Sequence, residues 1–492
     1  MVRIMFKWIR DLFEFLLAMI IVMVMSGSEC VAMAARTDPV ELQAVYATMV
    51  ATGNDWVTSI PDVCVKSGRW HGIECEQDGE FFHVVGLSFG LVTDHSTAFP
   101  ACGTDSTISP AVANLTHLRK LSYFGCCTAN PQPIPSEIGL LSATLETLHL
   151  RSNGHVGALP PELATLTKLQ TFDVRRNTLT GKMPIWLSSL TQLQVVDMSD
   201  NSFEGELDAA SFFNLERLVI LDASANRLVG TLPDSIGQLK ALKKLDLSNN
   251  NLTGAIPATV GDLSNLLTLN LAQNALTGPL PTSLGGLEDL KSLDLSRNRF
   301  REPIPDSFGS LRSLDGLVLS GAEFTGAIPS SLGSLRNLRA LFLDGNKLTG
   351  AIPPALAGLD RVYELGLNGN LLSGPVPFSA SFVSRLGRRL RLQNNDGLCY
   401  EFQAAKSLTS GAEGSLTIRP ADPHPLLQIC SNSGKQRADP PSDSERPSPV
   451  VPSTGSWNPA FESSSSCSQA SAFQAAKHVW FFVGLIGTVS RW

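Results

Sequence analysis

One refrain of 24 residues limits what this chain can fold into. Its clearest copy runs from Leu242 to Pro257 as Leu-Lys-Lys-Leu-Asp-Leu-Ser-Asn-Asn-Asn-Leu-Thr-Gly-Ala-Ile-Pro, and its Asn returns at positions 153, 177, 201, 226, 250, 274, 298, 346 and 370. Every step is 24 residues, or a multiple of it, except one of 25, and Ala322 fills the slot of the missing copy. A degenerate copy with Cys126 in the Asn slot precedes them, which makes about 11 repeats. Within a copy, Leu245 and Leu247 alternate with Asp246 and Ser248, the pattern of a short strand with one buried face. Asn250 closes that strand, and its amide can hydrogen-bond to the backbone of its own and the next repeat. Gly254 suits a tight turn, and Ile256-Pro257 opens a return segment. One unit cannot bury its leucines alone. Each buried Leu stabilises by roughly 1.5–3 kcal/mol only when a neighbour covers it. Stability must come from stacking, and both ends need caps.

This period with an L-x-x-L-x-L-x-x-N core is the signature of a leucine-rich-repeat solenoid, in which one core runs through a long chain. The added N-x-L-x-G-x-I-P resembles the plant-type extracellular repeat. The expected fold class is therefore an α/β solenoid, a right-handed superhelix with disulfide-stapled N- and C-terminal caps. Two lapses stand out: Asp208 replaces the Pro of the Asn201 repeat, and Glu302 replaces the Gly after Asn298.

Function classes fall away quickly. The 492 residues are 17% charged with net charge −7, and no Lys/Arg run marks a nucleic-acid surface. Walker and H-E-x-x-H sequences are absent. Gly86-Leu-Ser88-Phe-Gly90 matches the G-x-S-x-G nucleophile elbow, but it lies in a capping strand, without the strand–turn–helix that an elbow needs. No catalysis, cofactor or metal is expected.

The segments before and after the repeats read differently. Residues 1–34 carry a basic start (Arg3, Lys7, Arg10), an apolar run from Phe15 to Met25 and Ala32-Met-Ala34, the pattern of a secretory signal. Residues 35–114 form the N-terminal cap, with a helix expected over Thr37–Thr52 that Asp38 caps and whose Leu42, Val45, Tyr46 and Met49 share a face. Cys64 and Cys75 flank Trp70-His-Gly72, which resembles the N-terminal cap of plant repeat proteins and implies a disulfide in an oxidising compartment. Metal binding by these Cys and His71 is the competing reading. Cys102 and Cys126 are expected to pair, with Cys127 as the adjacent competitor. Repeats occupy 115–377. A C-terminal cap follows over 378–434, opened by Gly397-Leu-Cys399 and closed by Cys430, leaving Cys127 and Cys467 over. A Pro/Ser-rich stalk covers 435–468. The tail, 469–492, holds 11 apolar residues from Val479 to Val489, short of the roughly 20 that span a bilayer. A lipid-anchor signal, a marginal single-pass helix and no anchor remain open. Asn114-Leu-Thr116 and Asn251-Leu-Thr253 are glycosylation acceptors.

The strand slot after the first buried Leu faces outward from the core. Down the stack it reads Ser122, His149, Asp173, Asp197, Asp222, Asp246, Asn270, Asp294, Val318, Phe342, Gly366. Strands about 4.8 Å apart could bring two carboxylates to glycosidase spacing, yet nothing differentiates an acid from a base there. The slot two residues on reads Phe124, Arg151, Arg175, Ser199, Ser224, Ser248, Ala272, Ser296, Ser320. The face is thus polarised: arginine-bearing first, acidic in the middle, apolar last. Arg151, Arg175, Asp197, Asp222, Asp246, Asp294, Val318 and Phe342 are the candidate ligand-binding residues, with Phe342 expected to be exposed. Such a surface suits a peptide laid across several repeats.

Both caps narrow the resemblance. Gly53-Asn-Asp-Trp56, Ile60-Pro-Asp-Val-Cys64, Gly68-Arg-Trp-His-Gly-Ile-Glu-Cys75, Thr97-Ala-Phe-Pro100, Pro131-Gln132, Pro377-Phe378, Arg388-Arg-Leu-Arg-Leu392 and Asn394-Asn-Asp-Gly-Leu-Cys399 are similar to receptor-like proteins of the Too Many Mouths type over about residues 37–400. A sister group, the Piriformospora-insensitive type, shares the cap motifs. Cys126-Cys127, Lys66-Ser67 and the short tail depart from the pattern. The resemblance implies a kinase-less protein at the extracellular face of the plasma membrane. It implies a receptor-kinase ectodomain of the ERECTA type and a secreted cysteine-rich peptide as partners, membrane attachment through the tail, and a role in stomatal patterning. A role in microbe response and inhibition of wall-degrading enzymes are the alternatives.

Overall fold

A computed structural model describes residues 35–65, 70–91, 99–400 and 428–429. Expectations for the signal segment, the stalk, the tail, Cys430 and Cys467 lie outside the described residues. The described residues open with strand β1 (Arg36–Thr37), helix α1 (Pro39–Ala51), and strands β2 (Ile73–Asp78) and β3 (Phe81–Gly90). Asp38 caps α1 by accepting the N–H groups of Val40 and Glu41. β2 pairs antiparallel with β3, and β3 pairs parallel with β1 on one side and with β4 (Lys120–Phe124) on the other. From β4 onward every repeat adds one parallel strand, ending at Leu390–Arg391, to build a 15-stranded sheet.

The stacking follows from the leucines. Leu121, Leu148, Phe172, Val196, Leu221, Leu245, Leu269, Leu293, Leu317, Leu341 and Leu365 are fully or almost fully buried, and the register aligns each with the next. The return segments are single 3-10 turns, such as Ala258–Asp262, most of them following a Pro. The repeat is therefore a β/3-10 version of the expected α/β unit. The five residues between the Pro and the next buried Leu are too few for a stable α-helix.

The asparagine ladder runs backwards relative to the sequence expectation. Asn250 accepts the Leu228 N–H at 3.0 Å and donates to the Ala223 carbonyl at 3.0 Å, both in the preceding repeat. It also donates to Leu247 and Ser248 carbonyls of its own repeat. The residue before the Asn slot is left-handed in every copy, from Ser152 through Arg297 to Asn394, and this turns the slot inward. At the Ala322 copy the ladder survives because the Ala322 carbonyl takes the Phe300 N–H at 3.0 Å.

Both sequence lapses have local remedies. Asp208, in the place of Pro, caps the 3-10 turn Ala209–Phe212 by accepting the Ala210 N–H at 2.9 Å. Glu302, in the place of Gly, shifts the left-handed residue one position back to Arg301, with φ 62°. The second, outer strand is reduced there to isolated bridges, Thr277–Arg299 and Pro303–Thr325.

Candidate functional site

The parallel register places the predicted column in line: His149 opposite Asp173, Asp173 opposite Asp197, then Asp222, Asp246, Asn270, Asp294, Val318, Phe342 and Gly366. The slot two residues on repeats the alignment. The side chains in it do not stand free. Ser199, Ser224, Ser248 and Ser296 each donate a hydroxyl at 2.6 Å to the Asp two residues earlier. The same carboxylates accept those serines' backbone N–H groups. Asp-Leu-Ser is thus a self-contained cap that holds each carboxylate in a fixed direction.

Cations finish the pattern. Arg175 reaches Asp197 at 2.9 Å and Asp173 at 3.7 Å. Lys244 reaches Asp222 at 2.6 Å and Asp246 at 4.0 Å. Asp173, Asp197 and Asp222 are buried within this lattice. The middle of the face is consequently a zipper of ion pairs, a different electrostatic surface from the open acidic strip that the sequence suggested. Burial pushes the Asp173 carboxyl up to about 6; Asp197 adds to the rise and Arg175 opposes it. Burial, then Asp222, raises Asp246, and burial raises Asp294 against its Ser296 hydrogen bonds. Burial opposes protonation of Arg175 and of Lys244, but the flanking carboxylates outweigh it and hold both cations charged. His149 is driven down to about 4 by burial, with Arg151, Lys120 and Arg175 adding to it. The imidazole is neutral at ordinary pH.

The two ends of the face are aromatic and cationic. At the N-terminal end the Arg151 guanidinium lies 4.8 Å from the Phe124 ring centre, and Phe124 stacks on Phe99 at 6.0 Å. At the other end Arg391 lies 5.3 Å from the Phe342 ring centre and bonds Glu364 at 2.5 Å. Phe342 was expected to be exposed; it is half-buried, because Arg391 covers it. Val318 beside it is half-buried too. Lys244, Glu364 and Arg391 were missed as site residues. The first two stand two residues before the Asp246 and Gly366 slots, on the same strand face, so strand alternation could have found them.

The caps agree with expectation where they are described. Cys64–Cys75 and Cys102–Cys126 are bonded, which resolves the competition against Cys127 and the metal reading of Cys64 and Cys75. Cys127 is a buried free thiol that burial pushes up to about 11. Cys399 is disulfide-bonded; its expected partner Cys430 lies outside the described residues. Asn114 and Asn251, with Thr116 and Thr253, are exposed and fit glycan attachment. A cluster no motif announced brings Glu41, His83 and His117 together, the set among the described residues that could hold a metal ion. Glu41 falls on the buried stripe of α1 with Ala44, Val45, Thr48 and Met49, which helical spacing alone would show.

The leucine rich repeat family models match residues 143–203, 240–300 and 264–324, and a shorter version matches 217–239 and 337–359. The chain is 50% identical over 137 residues to Protein TOO MANY MOUTHS of Arabidopsis thaliana, covering 27% of each. It is 34% identical over 143 residues to Piriformospora indica-insensitive protein 2 of the same plant, covering 27% of this chain and 32% of that one. The chain thus spans about a third or less of the curated relatives it matches. Among solved structures, the PEPR1–AtPEP1 complex is similar over 74% of this chain and 48% of its own, with TM-score 0.59 and 29% identity. The Arabidopsis receptor kinase HAESA, in complex with the peptide hormone IDA and the co-receptor SERK1, is similar over 61% of this chain and 50% of its own, with TM-score 0.55 and 33% identity.

Proposed function

We propose that this leucine-rich-repeat chain of the Too Many Mouths type is a cell-surface receptor-like protein that binds a secreted cysteine-rich peptide together with a receptor-kinase ectodomain of the ERECTA type. The observation that carries the reading is the 50% identity to Protein TOO MANY MOUTHS. The sheet face supports it. Its two aromatic–cation stations, Phe124 with Arg151 and Phe342 with Arg391, stand at opposite ends of the parallel sheet. A peptide crossing the intervening strands would meet polar side chains that are already ordered by Asp–Ser hydrogen bonds and by the Arg175 and Lys244 ion pairs. The Asp–Ser caps lose little entropy on binding, since they are already fixed, and aromatic and Arg anchors supply most of the energy in such contacts. HAESA and PEPR1, named in structures with a peptide hormone and with AtPEP1, share this architecture.

The proposed site is the extracellular face of the plasma membrane, reached by secretion and held there through the C-terminal tail. Among the described residues no helix is long and apolar enough to cross a membrane. The proposed role is stomatal or epidermal patterning. The match to Piriformospora indica-insensitive protein 2 favours a second reading, a receptor-like protein in microbe response. Recovery of partners from native membranes tests both readings. A receptor-kinase ectodomain in the eluate is the expected result. A microbial wall-degrading enzyme in its place would make the chain an inhibitor.

A further inference from the structure

The N-terminal cap holds a cluster that the repeat face does not use. Glu41 lies on α1, His83 on β3, and His117 on the turn that leads into β4. One carboxylate oxygen, Oε1 of Glu41, lies 3.0 Å from Nδ1 of His83 and 2.7 Å from Nδ1 of His117. The two imidazoles lie side by side with ring centres 3.7 Å apart and planes tilted by 35°. All three ligand atoms fall within 4.8 Å of one another. The other oxygen, Oε2, is fixed by the Val84 N–H at 2.7 Å.

Charge makes this arrangement unusual. The Glu41 side chain is only 3% exposed. A buried carboxylate is costly unless a cation compensates it. Arg119 and Lys120, the basic residues next along the chain, are engaged by Glu76 and Glu74. Two imidazoles and the Val84 N–H are left to face the carboxylate.

We propose that Glu41, His83 and His117 form a binding site for a borderline divalent cation of the zinc class. Two imidazole nitrogens and one carboxylate oxygen are the donor set such ions take, and calcium or magnesium would ask for oxygen ligands throughout. Ligand distances of about 2.0–2.2 Å in a tetrahedral site separate the donor atoms by about 3.3 Å. The 3.0 and 2.7 Å contacts need open by only about half an ångström to admit the ion. Each ring would then carry its proton on Nε2 and offer the Nδ1 lone pair to the ion. The Val84 N–H orients the carboxylate from behind, as an outer-shell partner does. His117, 44% exposed, leaves the fourth position open toward solvent. The ion would tie α1 to a strand and a turn 42 and 76 residues further on, closing the cap onto the first repeat alongside the two disulfides.

The test uses the full secreted chain, stripped with a chelator and titrated with zinc chloride by calorimetry. Cobalt(II) serves as the spectroscopic probe. The expected result is one ion per chain with a Kd at or below about 10 µM, a cobalt absorption of tetrahedral intensity that zinc abolishes, and a Tm rise of about 3 °C at saturation. His117→Gln, at a half-exposed position, should fold as the parent does and weaken zinc at least tenfold; His83→Gln should do the same. Absence of saturable one-to-one binding up to about 100 µM zinc overturns the site and makes the cluster a hydrogen-bonded strut. Stoichiometric binding that both variants retain overturns the assignment of these ligands. The wild-type cobalt spectrum needs no variant, so misfolding of His83→Gln does not weaken the test.

Discussion

Replacing Asn298 by Ala should weaken one joint of the solenoid by about 3 kcal/mol. Asn298 is 3% exposed and makes four bonds: it accepts the Leu276 N–H at 3.0 Å and donates to the carbonyls of Leu271, Leu295 and Ser296 at 2.9, 3.0 and 3.3 Å. Truncation strands one buried N–H, which costs about 1–3 kcal/mol, and removes a donor from three carbonyls, of which Leu271 and Ser296 keep a second donor in Asn274 and the Gln273 N–H; this adds about 1 kcal/mol. The loss is local, since repeats couple to nearest neighbours. Hydrogen exchange should show it most clearly. Protection of the Leu276 amide should fall by about two decades, the equivalent of about 3 kcal/mol. The chain carries its own control at position 322. There the Phe300 N–H already donates to the Ala322 carbonyl at 3.0 Å, so Ala322→Asn should change stability by less than about 0.5 kcal/mol. If Asn298→Ala costs as little as Ala322→Asn, the backbone can replace the side chain at any copy and the ladder is not what joins the repeats.

Further outcomes follow from the sheet face and the caps. Lys244→Met leaves Asp222 and Asp246 without their shared cation and should cost about 2 kcal/mol at pH 7 by urea denaturation, a figure discounted because the ammonium is 31% exposed. That cost should shrink in acid, because Asp246, already raised by burial, protonates early. His149 sits at about 4 when folded against 6.5 unfolded, so its contribution is present above pH 6.5 and lost as pH falls toward 4. His149→Gln should therefore gain up to about 3 kcal/mol on the parent between pH 7 and pH 4, read from denaturation midpoints at each pH. Asp173, raised to about 6, works in the opposite sense, its buried charge being relieved as pH falls; the parent chain should show a flatter acid profile than either His149→Gln or Asp173→Asn. Opening the 24-residue Cys102–Cys126 loop by a double Cys→Ala change should cost about 3 kcal/mol in chain entropy, measured the same way.

The fold was legible because the refrain states its own geometry. Leu245, Leu247 and Asn250 each recur at one spacing, and a pattern held over so many copies has one physical solution, a stack of short parallel strands. The cap disulfides were legible as well, Cys64–Cys75 through the resemblance of its Trp70-His-Gly72 surroundings to plant-type caps, and Cys102–Cys126 from its place around the first irregular repeat. The direction of the asparagine ladder was not. Whether Asn250 bonds forward or backward depends on the left-handed residue at 249, which sequence does not reveal when that residue is Ser, Arg, Gln or Ala in the other copies. The character of the site was half legible. Reading one column found Asp222 and Asp246 but overlooked Lys244, which neutralises both from the neighbouring slot. Phe342 was found, but its cover, Arg391, comes from two repeats further along the stack. The Glu41–His83–His117 cluster joins three segments with no shared motif, and only the folded cap assembles it.

Binding of the purified, folded chain to an ERECTA-type receptor-kinase ectodomain, with and without a cysteine-rich patterning peptide, tests the central claim most directly. The account predicts a complex at micromolar concentration or tighter. It predicts that peptide uptake drops at least tenfold in Phe342→Ala and in Arg151→Ala, both of which should keep the parent's circular dichroism. No binding to either partner at micromolar concentration would contradict the receptor reading. Binding that both variants leave intact would contradict the assignment of the sheet face as the peptide's seat.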